Sequence, residues 1–246
     1  MSASDFYTGI VPEIYTALRG TTFDAARYVE FVGQAGQPAL ELGCGDDGPF
    51  FELLRRGVDV DGVDSSQDML DRCHARADAE GLQVRTYCQP MQELALPRTY
   101  RAIYLVGPTF TLLPDDDAAY RTLQGIAAHL HPDGRAMVPL WIPEPTPAEE
   151  FGRVREARTA DGALARYTIE SEEYDSSTLR TRRTHTRYEL QRDDQMERVD
   201  RVWTIHWHDP DQFVDLARSA GLVVARMDPL EDREFTGYLR RTGTTG

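Results

Sequence analysis

Three glycines and an aspartate in the first third of the chain have the types and spacing of a nucleoside-binding turn. Gly43, Gly45 and Gly48 follow the apolar segment 38–42, and Asp64 ends a second apolar segment. Glycine lets a backbone turn sharply and approach a ligand closely, and the helix after such a turn offers free N–H groups. A carboxylate about 20 residues later can accept hydrogen bonds from both hydroxyls of a ribose. The pattern predicts a cofactor that contains a nucleoside.

These residues require strands that end at one edge of a sheet. Apolar strands alternate with amphipathic helices up to Trp141, which predicts right-handed crossovers and a mostly parallel α/β sheet. Polar and apolar residues then alternate with period two from Leu164 to His208, in three stretches that predict an antiparallel insert. A helix over 211–220 and a closing antiparallel strand pair follow. The predicted fold class is therefore α/β, with a Rossmann-like sheet and an antiparallel β insert.

The same pattern predicts how the chain divides into domains. Residues 1–36 form an N-terminal helical lid over one edge of the sheet. Residues 37–141 and 209–246 form the core, and residues 142–208 form the insert, in which the specificity for an acceptor molecule should reside.

Composition narrows the function. The formal charge is −14, and no clustered basic face balances it, so a nucleic-acid partner is not expected. All 27 basic residues counted as Lys+Arg are arginine, which excludes a Schiff-base lysine and a P-loop lysine. The sequence has no membrane-spanning apolar run and no secretion signal, and its three cysteines are not closely paired. We therefore expect a cytoplasmic protein with no membrane partner and a small-molecule substrate.

Two cofactor classes share the glycine layout, NAD and S-adenosylmethionine. Some forty residues precede the first strand, whereas a dinucleotide enzyme commonly begins with it. Asp46 and Asp47 would also direct negative charge toward a pyrophosphate. S-adenosylmethionine has no phosphate and carries a sulfonium cation, so an acidic turn does not repel it. The sequence favours S-adenosylmethionine, and an NAD-dependent oxidoreductase remains the third alternative.

Successive motifs strengthen this choice. Residues 40–45 (Leu-Glu-Leu-Gly-Cys-Gly), 62–70 (Gly-Val-Asp-Ser-Ser-Gln-Asp-Met-Leu) and 129–134 (His-Leu-His-Pro-Asp-Gly) resemble the motifs of class I S-adenosylmethionine-dependent methyltransferases. Within that superfamily the chain is similar to small-molecule N,N-dimethyltransferases of nucleotide-linked amino sugars. That similarity lies in Ile14-Tyr15, in Arg19-Gly20, in residues 141–144 and in the late insert.

The resemblance implies a set of cofactor-binding residues. The methionine part of the cofactor would lie near the glycine turn and the lid, and the ribose at Asp64. The adenine would lie among Met69, Met91 and Gln92, and the donor above the end of the fourth strand. The residues are Tyr15, Arg19, Gly43, Cys44, Gly45, Asp64, Ser65, Met69, Met91, Gln92, Val106 and Gly107.

Two positions depart from the family pattern. Asp47 stands where the third glycine is expected, with Gly48 one place later, so the turn could be reshaped. Pro90 stands where an acidic residue commonly binds the adenine amino group, and Gln89 or Gln92 could replace it. These departures motivate an alternative function, a non-catalytic or regulatory protein that binds S-adenosylmethionine.

Three side chains are candidates for proton transfer: His206, His208 and Glu144, with Tyr15 as a further one. An amine acceptor needs only to arrive neutral, whereas a hydroxyl usually needs a base. The two histidines share one face of a predicted strand. With Asp209 as the only adjacent carboxylate, a metal site is disfavoured, and we expect no metal.

A run of arginines crosses the insert at Arg180, Arg182, Arg183 and Arg187. Such a run is usually a solvated face offset by acidic neighbours. It could also contact an anionic substrate or a partner subunit, because arginine binds carboxylate and phosphate with two parallel hydrogen bonds. The sequence leaves open whether the insert joins two chains as a homodimer. The predicted function is methyl transfer from S-adenosylmethionine to N or O of a small molecule, such as a sugar or a secondary metabolite.

Overall fold

The computed structural model describes residues 6–19 and 24–243 and arranges them around two sheets. The helices are α1 (Val11–Arg19), α2 (Ala26–Ala35), α3 (Pro49–Arg55), α4 (Gln67–Glu80), α5 (Asp116–His129) and α6 (Pro210–Ser219), with short 3₁₀ helices at Met91–Glu93, Thr109–Leu112 and Ala148–Glu150. The strands are β1 (Ala39–Leu42), β2 (Val60–Asp64), β3 (Thr86–Cys88), β4 (Tyr100–Leu105), β5 (Leu130–Trp141), β6 (Val154–Arg158), β7 (Leu164–Asp175), β8 (Thr181–Arg192), β9 (Gln195–His206), β10 (Leu222–Glu231) and β11 (Glu234–Arg241). Among the described residues, no helix is long and apolar enough to cross a membrane.

The larger sheet has seven strands in the order β3-β2-β1-β4-β5-β11-β10. β1 pairs in parallel with β2 and with β4, and β5 pairs in parallel with β4. β11 runs antiparallel to both β5 and β10. The strand order reverses between β1 and β4, and ligands of open α/β sheets bind outside the carboxyl ends of the strands at such a point. The predicted Rossmann-like class, with its closing antiparallel pair, is confirmed.

Helices cover both faces of this sheet because the strands are apolar on both sides. Leu40 and Leu42 of β1 pack in one cluster with α5 and α6, and Ala39 packs in a second cluster with α2, α3 and α4. α2 buries Tyr28, Phe31, Val32 and Ala35, which recur at the spacing of one helical face. All four residues of β1 are buried, so the glycine turn starts from a rigid support.

The smaller sheet is the insert, and it has four strands in the order β6-β7-β8-β9. Three of them agree with the predicted stretches. The fourth, β6, is almost wholly exposed and carries no alternating apolar pattern, so periodicity could not reveal it. The N-terminal segment divides: α1 packs on the insert, where Phe6 and Ile14 contact the cluster of Tyr188, whereas α2 packs on the core.

Gly237 gives a direct test of the packing between α6 and the sheet. A Cβ at this position would lie 2.4 Å from Cε1 of the fully buried Phe213. Gly237→Ala is therefore expected to lower the free energy of unfolding by about 1–3 kcal/mol, as overpacking of a core does. Gly33→Ala is the matched control, because a Cβ there meets no atom within 4 Å. Urea unfolding would measure both, and equal stability of the two variants would contradict the packing of Phe213 against β11.

Candidate active site

The glycine turn leaves β1 in a conformation that side chains rarely adopt. Gly43 and Gly45 have φ of 75° and 56°. The backbone N–H groups of Gly43 and Cys44 both donate to the carbonyl of Val63, at 2.7 and 3.0 Å. A Cβ on Gly43 would lie 2.7 Å from Cγ2 of Thr109. The turn is thus fixed between β2 and the segment after β4, and two N–H groups that the resemblance placed beside the cofactor are already used inside the protein.

Asp64 stands at the carboxyl end of β2 and organises the neighbouring backbone. Its Oδ2 accepts from the N–H of Gly45 at 2.9 Å, and its Oδ1 accepts from the N–H of Ser66 at 2.9 Å. Burial raises the pKa of the Asp64 carboxyl, and these backbone hydrogen bonds oppose the rise. Because a carboxylate offers about four lone-pair sites, each oxygen keeps room for one further donor. These two free acceptor positions fit the two hydroxyls of a ribose.

The acidic residues of the turn are neutralised within the protein. Asp46 accepts from Nε of Arg72 at 2.8 Å, and Asp47 accepts from Nη1 of Arg76 at 2.5 Å. Nη2 of Arg19 lies 3.3 Å from Asp47. The expectation that these two carboxylates would direct negative charge at a pyrophosphate is corrected, because arginines from α1 and α4 already surround them. The distinction from NAD therefore does not rest on this charge.

The displaced third glycine does not distort the turn. Gly48 has φ of 80° and caps α3, and Asp47 is not among the non-glycine residues with positive φ. The left-handed position has moved one residue along the chain together with the glycine, so Asp47 needs no strained backbone.

The first turn of α4 lies against the glycine turn. Ser66 caps the helix by accepting from the N–H of Met69 at 3.2 Å. Met69 is buried, and its Cε lies 3.2 Å from the position of a Cβ on Gly45. The carbonyl of Ser65 accepts a weak hydrogen bond from Sγ of Cys88, at 3.9 Å. Ser65 and Met69 therefore flank the start of α4, next to Asp64 and the glycine turn.

The departure at Pro90 leaves Gln89 and Gln92 as the amides that could replace the expected acidic residue. Pro90 precedes the 3₁₀ helix that contains Met91 and Gln92. Oε1 of Gln89 accepts from the N–H of Ala95 at 2.8 Å, so that oxygen holds the loop. Of the two glutamines considered, Gln92 is the one without a structural hydrogen bond among the described residues. Met91 is partly buried and packs against the core.

The end of β4 forms the floor beside the turn. Gly107 has φ of 56°, and its N–H donates to the hydroxyl of Tyr28 at 3.0 Å. The carbonyl of Val106 accepts from Oγ1 of Thr109 at 2.7 Å. Burial raises the pKa of Tyr28, so its hydroxyl stays protonated and can hold the segment in place. Tyr28 was not predicted, because on α2 it reads as an ordinary core residue.

The N-terminal segment reaches the same edge of the sheet. The backbone carbonyl of Tyr7 accepts from Oγ of Ser66 at 2.5 Å, and the N–H of Gly9 donates to Asp68 at 2.7 Å. Burial raises the pKa of Tyr7 far above its usual range, and the nearby Tyr15 and Asp64 add to the rise. Tyr7 was missed because a single aromatic residue near a terminus carries no motif.

Tyr15 and Arg19 lie on α1, the first helix of the predicted lid. The rings of Tyr15 and Tyr7 are 5.2 Å apart, and the Arg19 guanidinium lies 5.2 Å from the centroid of the Tyr15 ring. Arg19 also pairs with the acidic residues of the turn. Ion pairs therefore join the predicted lid to the glycine turn. Gly20, which shared the predicted motif, lies outside the described residues.

A cavity of 450 Å³ lies at the carboxyl end of β5, on the same edge of the sheet. Trp141, Glu144, Tyr167, Arg182 and Trp203 are among its lining residues. The Arg182 guanidinium lies 4.8 Å from the Trp141 ring centroid, and burial lowers its pKa. Glu144 pairs with Arg233 at 3.0 Å. Aromatic walls with a few charged groups are typical of small-molecule sites.

His206 and His208 come together, with ring centroids 4.9 Å apart, and they meet a carboxylate from elsewhere. The prediction that they share a strand face is wrong, because β9 ends at His206. Both Nε2 atoms contact Oδ1 of Asp116, at 2.9 and 2.8 Å, and Arg180 contacts the same oxygen. Burial, reinforced by the charge of His206, lowers the pKa of His208 to about 4, although Asp116 acts in the opposite direction. A base with that pKa is weak near neutral pH. Asp209, the carboxylate weighed from the sequence, instead caps α6.

Glu144 does not contact the histidines in the described part of the chain. Its side chain contacts Arg233, and its carbonyl contacts Arg182. The arginine run of β8 is largely matched by acidic neighbours. Arg183 pairs with Glu173 and Arg187 with Glu170. The reading of this run as a solvated, balanced face fits these pairs, and Arg182 is the member that turns into the cavity.

Comparison with known proteins agrees with this geometry. Residues 39–134, which hold the glycine turn, Asp64 and the end of β4, match a family model described as a methyltransferase domain. Residues 39–134 form a methyltransferase domain. The match confirms the predicted enzyme class, the S-adenosylmethionine-dependent methyltransferases, and with it the predicted cofactor.

The individual proteins that resemble this chain are only distantly related to it. The curated Cypemycin N-terminal methyltransferase of a Streptomyces species is 28% identical over 145 residues, which span 56% of this chain and 57% of that protein. A solved S-adenosylmethionine-dependent methyltransferase from Clostridium acetobutylicum has a TM-score of 0.74 at 15% identity, covering 94% of this chain and 97% of that one. CalS10, an amino pentose methyltransferase from Micromonospora echinaspora solved with the cofactor, has a TM-score of 0.70 at 17% identity, with 96% and 98% covered. These structures share the fold over almost the whole methyltransferase, including the insert.

Glu41 of β1 is a buried carboxyl behind the turn. Its Oε2 accepts from the hydroxyl of Tyr104 at 2.5 Å. Burial raises the pKa of Glu41 well above 4.5, and the charges of Asp64 and Asp47 add to the rise, whereas the Tyr104 hydrogen bond opposes it. A raised pKa means that the folded state binds the proton more tightly than the unfolded chain does. The resulting stabilisation is complete below the unfolded pKa and is lost as pH rises through the folded pKa.

Glu41→Gln is therefore expected to gain stability relative to the wild type as pH rises above about 4.5, because the amide never ionises. The gain has a limiting slope of about 1.4 kcal/mol per pH unit. Urea unfolding at several pH values from 4 to 8 would measure it. The exposed Glu30→Gln is the matched control and should show a constant difference. A constant difference for Glu41→Gln as well would contradict the raised pKa.

Proposed function

We propose that the chain transfers a methyl group from S-adenosylmethionine to a nitrogen or oxygen of a small-molecule acceptor, such as a sugar or secondary metabolite. The observation that carries this proposal is the position of two features at one edge of the sheet. Asp64 and the glycine turn stand at the ends of β2 and β1, and the 450 Å³ cavity opens at the end of the parallel strand β5. Donor and acceptor sites on one edge allow both molecules to meet.

Two relatives support an amine as the acceptor group. These relatives are an N-terminal methyltransferase and an amino pentose methyltransferase. The cavity suits a polar organic molecule, because Trp141 and Trp203 offer flat apolar walls while Glu144 and Arg182 offer charge.

When bound, S-adenosylmethionine supplies a methyl group on a positively charged sulfur that is already activated as a leaving group. The residues of this chain then contribute mainly by orientation and by exclusion of water. Asp64 would accept from the ribose hydroxyls, Met69, Met91 and Gln92 would surround the adenine, and Tyr15 with Arg19 would cover the methionine part. Val106 and Gly107 would lie beneath the reacting carbon, beside Gly43 and Gly45.

The residue that accepts a proton depends on the acceptor. A neutral amine attacks without a base, whereas a hydroxyl requires one. His206, His208 and Glu144 stay candidates for that role, with Tyr15. The low pKa of His208 makes it suited to stay uncharged rather than to remove a proton from an alcohol.

Three further statements belong to this proposal. A cytoplasmic location is supported by the free cysteines Cys44, Cys73 and Cys88, since secreted proteins usually oxidise theirs.

A homodimer through the insert is supported by its long edge strand β9, whose outer side is unpaired among the described strands. The predicted domain limits, 1–36, 37–141 with 209–246, and 142–208, are supported by the two sheets and their separate apolar clusters, although α1 packs in the cluster of the insert. No observation favours the non-catalytic alternative, because the glycine turn keeps its left-handed residue and Gln92 remains free to bind.

Calorimetric titration with S-adenosylmethionine, S-adenosylhomocysteine and NAD tests the donor site first. Binding of the first two and not of NAD is expected. The protein with radiolabelled S-adenosylmethionine would then be offered amino sugars, sugar nucleotides, peptides with free N-termini and hydroxylated analogues. Transfer to an amine but not to its hydroxyl analogue would support the amine assignment, and binding of NAD alone would overturn the whole proposal.

A further inference from the structure

The cluster of Asp116, His206 and His208 has a feature that methyl transfer does not explain. The two histidine side chains are almost fully buried, with 4% of each exposed, and both Nε2 atoms meet one carboxylate oxygen that lies 90 and 92 positions away in sequence. The Asp116 side chain is 59% exposed, so the point where the three groups meet opens to solvent.

The hydrogen-bond partners of His206 leave its second ring nitrogen as an acceptor that faces another acceptor. Its Nδ1 lies 3.0 Å from the carbonyl of Leu179, and a carbonyl can only accept, so Nδ1 carries the hydrogen. Nε2 of the neutral ring then presents a lone pair to Asp116 at 2.9 Å. The carboxylate of Asp116, which pairs with Arg180, also only accepts when it is ionised. Two acceptors face each other, and the contact requires a cation, either an added proton or a metal ion.

We propose that Asp116, His206 and His208 form a binding site for one divalent first-row transition-metal ion. Imidazole nitrogen and carboxylate oxygen are the donors that zinc, nickel, cobalt and iron(II) accept. With metal–ligand distances of about 2.1 Å, donor atoms 2.8 and 2.9 Å apart subtend roughly a right angle at the ion. That is the angle between neighbouring ligands in octahedral coordination, and the three donor atoms all lie within 4.8 Å of one another.

The surroundings of His206 match those of a metal-bound histidine. Such a ring usually donates its second N–H to a backbone carbonyl or a carboxylate, which fixes its orientation, and Leu179 provides that acceptor for His206. The ring of Phe110 packs on His208, with the centroids 6.1 Å apart. Because Asp116 faces solvent, the remaining coordination positions would be open to water or to a ligand with two oxygen donors.

Arg180 competes for the same oxygen. Its guanidinium contacts Oδ1 of Asp116, and a cation so close weakens the binding of a second one. The metal site is therefore expected to bind more tightly when this charge is removed. An ion pair that binds no metal predicts no such gain in affinity. Replacement of Arg180 should therefore raise the metal affinity, whereas loss of a ligand should lower it.

The experiment uses the full chain after dialysis against a chelator, titrated calorimetrically with Zn²⁺ and, separately, with Co²⁺ followed by visible absorption. One ion per chain is expected, with Co²⁺ bands typical of nitrogen and oxygen ligands. His206→Gln and Asp116→Asn should each weaken binding at least about tenfold, and Arg180→Gln should tighten it. Asp116 is exposed, so its variant is expected to fold even if the buried histidine variant does not.

Matched controls separate the site from adventitious binding. His74→Gln and Asp117→Asn remove one histidine and one carboxylate outside the cluster and should leave the affinity unchanged. Cys88→Ser removes the exposed thiol. Equal affinity in the wild type and Asp116→Asn, or sulfur-to-cobalt bands lost in Cys88→Ser, would overturn the proposal and make the required cation a proton. The result is independent of methyl transfer, because S-adenosylhomocysteine binding can be measured on the same samples.

Discussion

Asp64→Ala is expected to weaken the binding of S-adenosylmethionine and S-adenosylhomocysteine at least about 100-fold. Hydrogen bonds to a charged group contribute about 1.5–3 kcal/mol each, and the ribose offers two hydroxyls to this carboxylate. The variant also removes the acceptor of the Gly45 and Ser66 N–H groups, so the glycine turn and the start of α4 lose their common support. Calorimetric titration with the product, which needs no acceptor, measures the effect.

The controls for this experiment distinguish lost contacts from lost folding. Asp64→Asn keeps one acceptor oxygen and should bind with intermediate affinity. Asp71→Asn changes an exposed carboxylate of the same helix region, which only accepts from Gln67, and should bind like the wild type. Thermal unfolding of each variant shows whether the fold persists. Full affinity in a folded Asp64→Ala variant would refute the assignment of the ribose site.

Glu172→Ala is expected to loosen the acceptor cavity while leaving the donor site intact. Only 4% of the Glu172 side chain is exposed. It accepts from the N–H and hydroxyl of Thr146, at 2.8 and 2.5 Å, and its Oε2 lies 3.7 Å from Nε of the half-buried Arg182. Removal of one partner from a buried ion pair costs about 3–5 kcal/mol, because the remaining charge and donors lose their compensation.

Two measurements follow Glu172→Ala. Urea unfolding should show the lower stability, and amide hydrogen exchange at Thr146 should become faster because that N–H has lost its acceptor. Binding of S-adenosylhomocysteine should not change. Glu173→Ala is the matched control, since the next residue is 62% exposed and pairs on the surface with Arg183. Slow exchange at Thr146 in a Glu172→Ala protein would show that the loop after β5 is held by other contacts.

Together the two variants separate the halves of the reaction. Loss of product binding in Asp64→Ala with retention in Glu172→Ala would place donor and acceptor in the sites described. If both variants lose product binding, the cavity and the cofactor site are coupled through the lid, where Tyr7 lies close to both Asp64 and Tyr188.

Much of the proposed donor site could be predicted from the sequence, because its residues lie close together in the chain. Gly43, Gly45 and Asp64 are close in the chain, and the backbone conformation of a tight turn restricts which residues can occupy it. The same holds for the sheet, since each buried strand and each amphipathic helix carries its own periodicity. The exposed strand β6 was not predicted, because surface strands have no such pattern.

The sequence alone thus predicted the fold class and the methyl donor, and it pointed to Asp64 as the carboxylate proposed to bind the ribose of that donor. Only the tertiary structure showed that arginines neutralise Asp46 and Asp47, that Tyr7 and Tyr28 support the site, and that Asp116 joins His206 and His208. The physical reason is distance along the chain: a hydrogen bond or ion pair between residues 90 positions apart depends on how separate elements pack, and neither partner carries a local sign of the other.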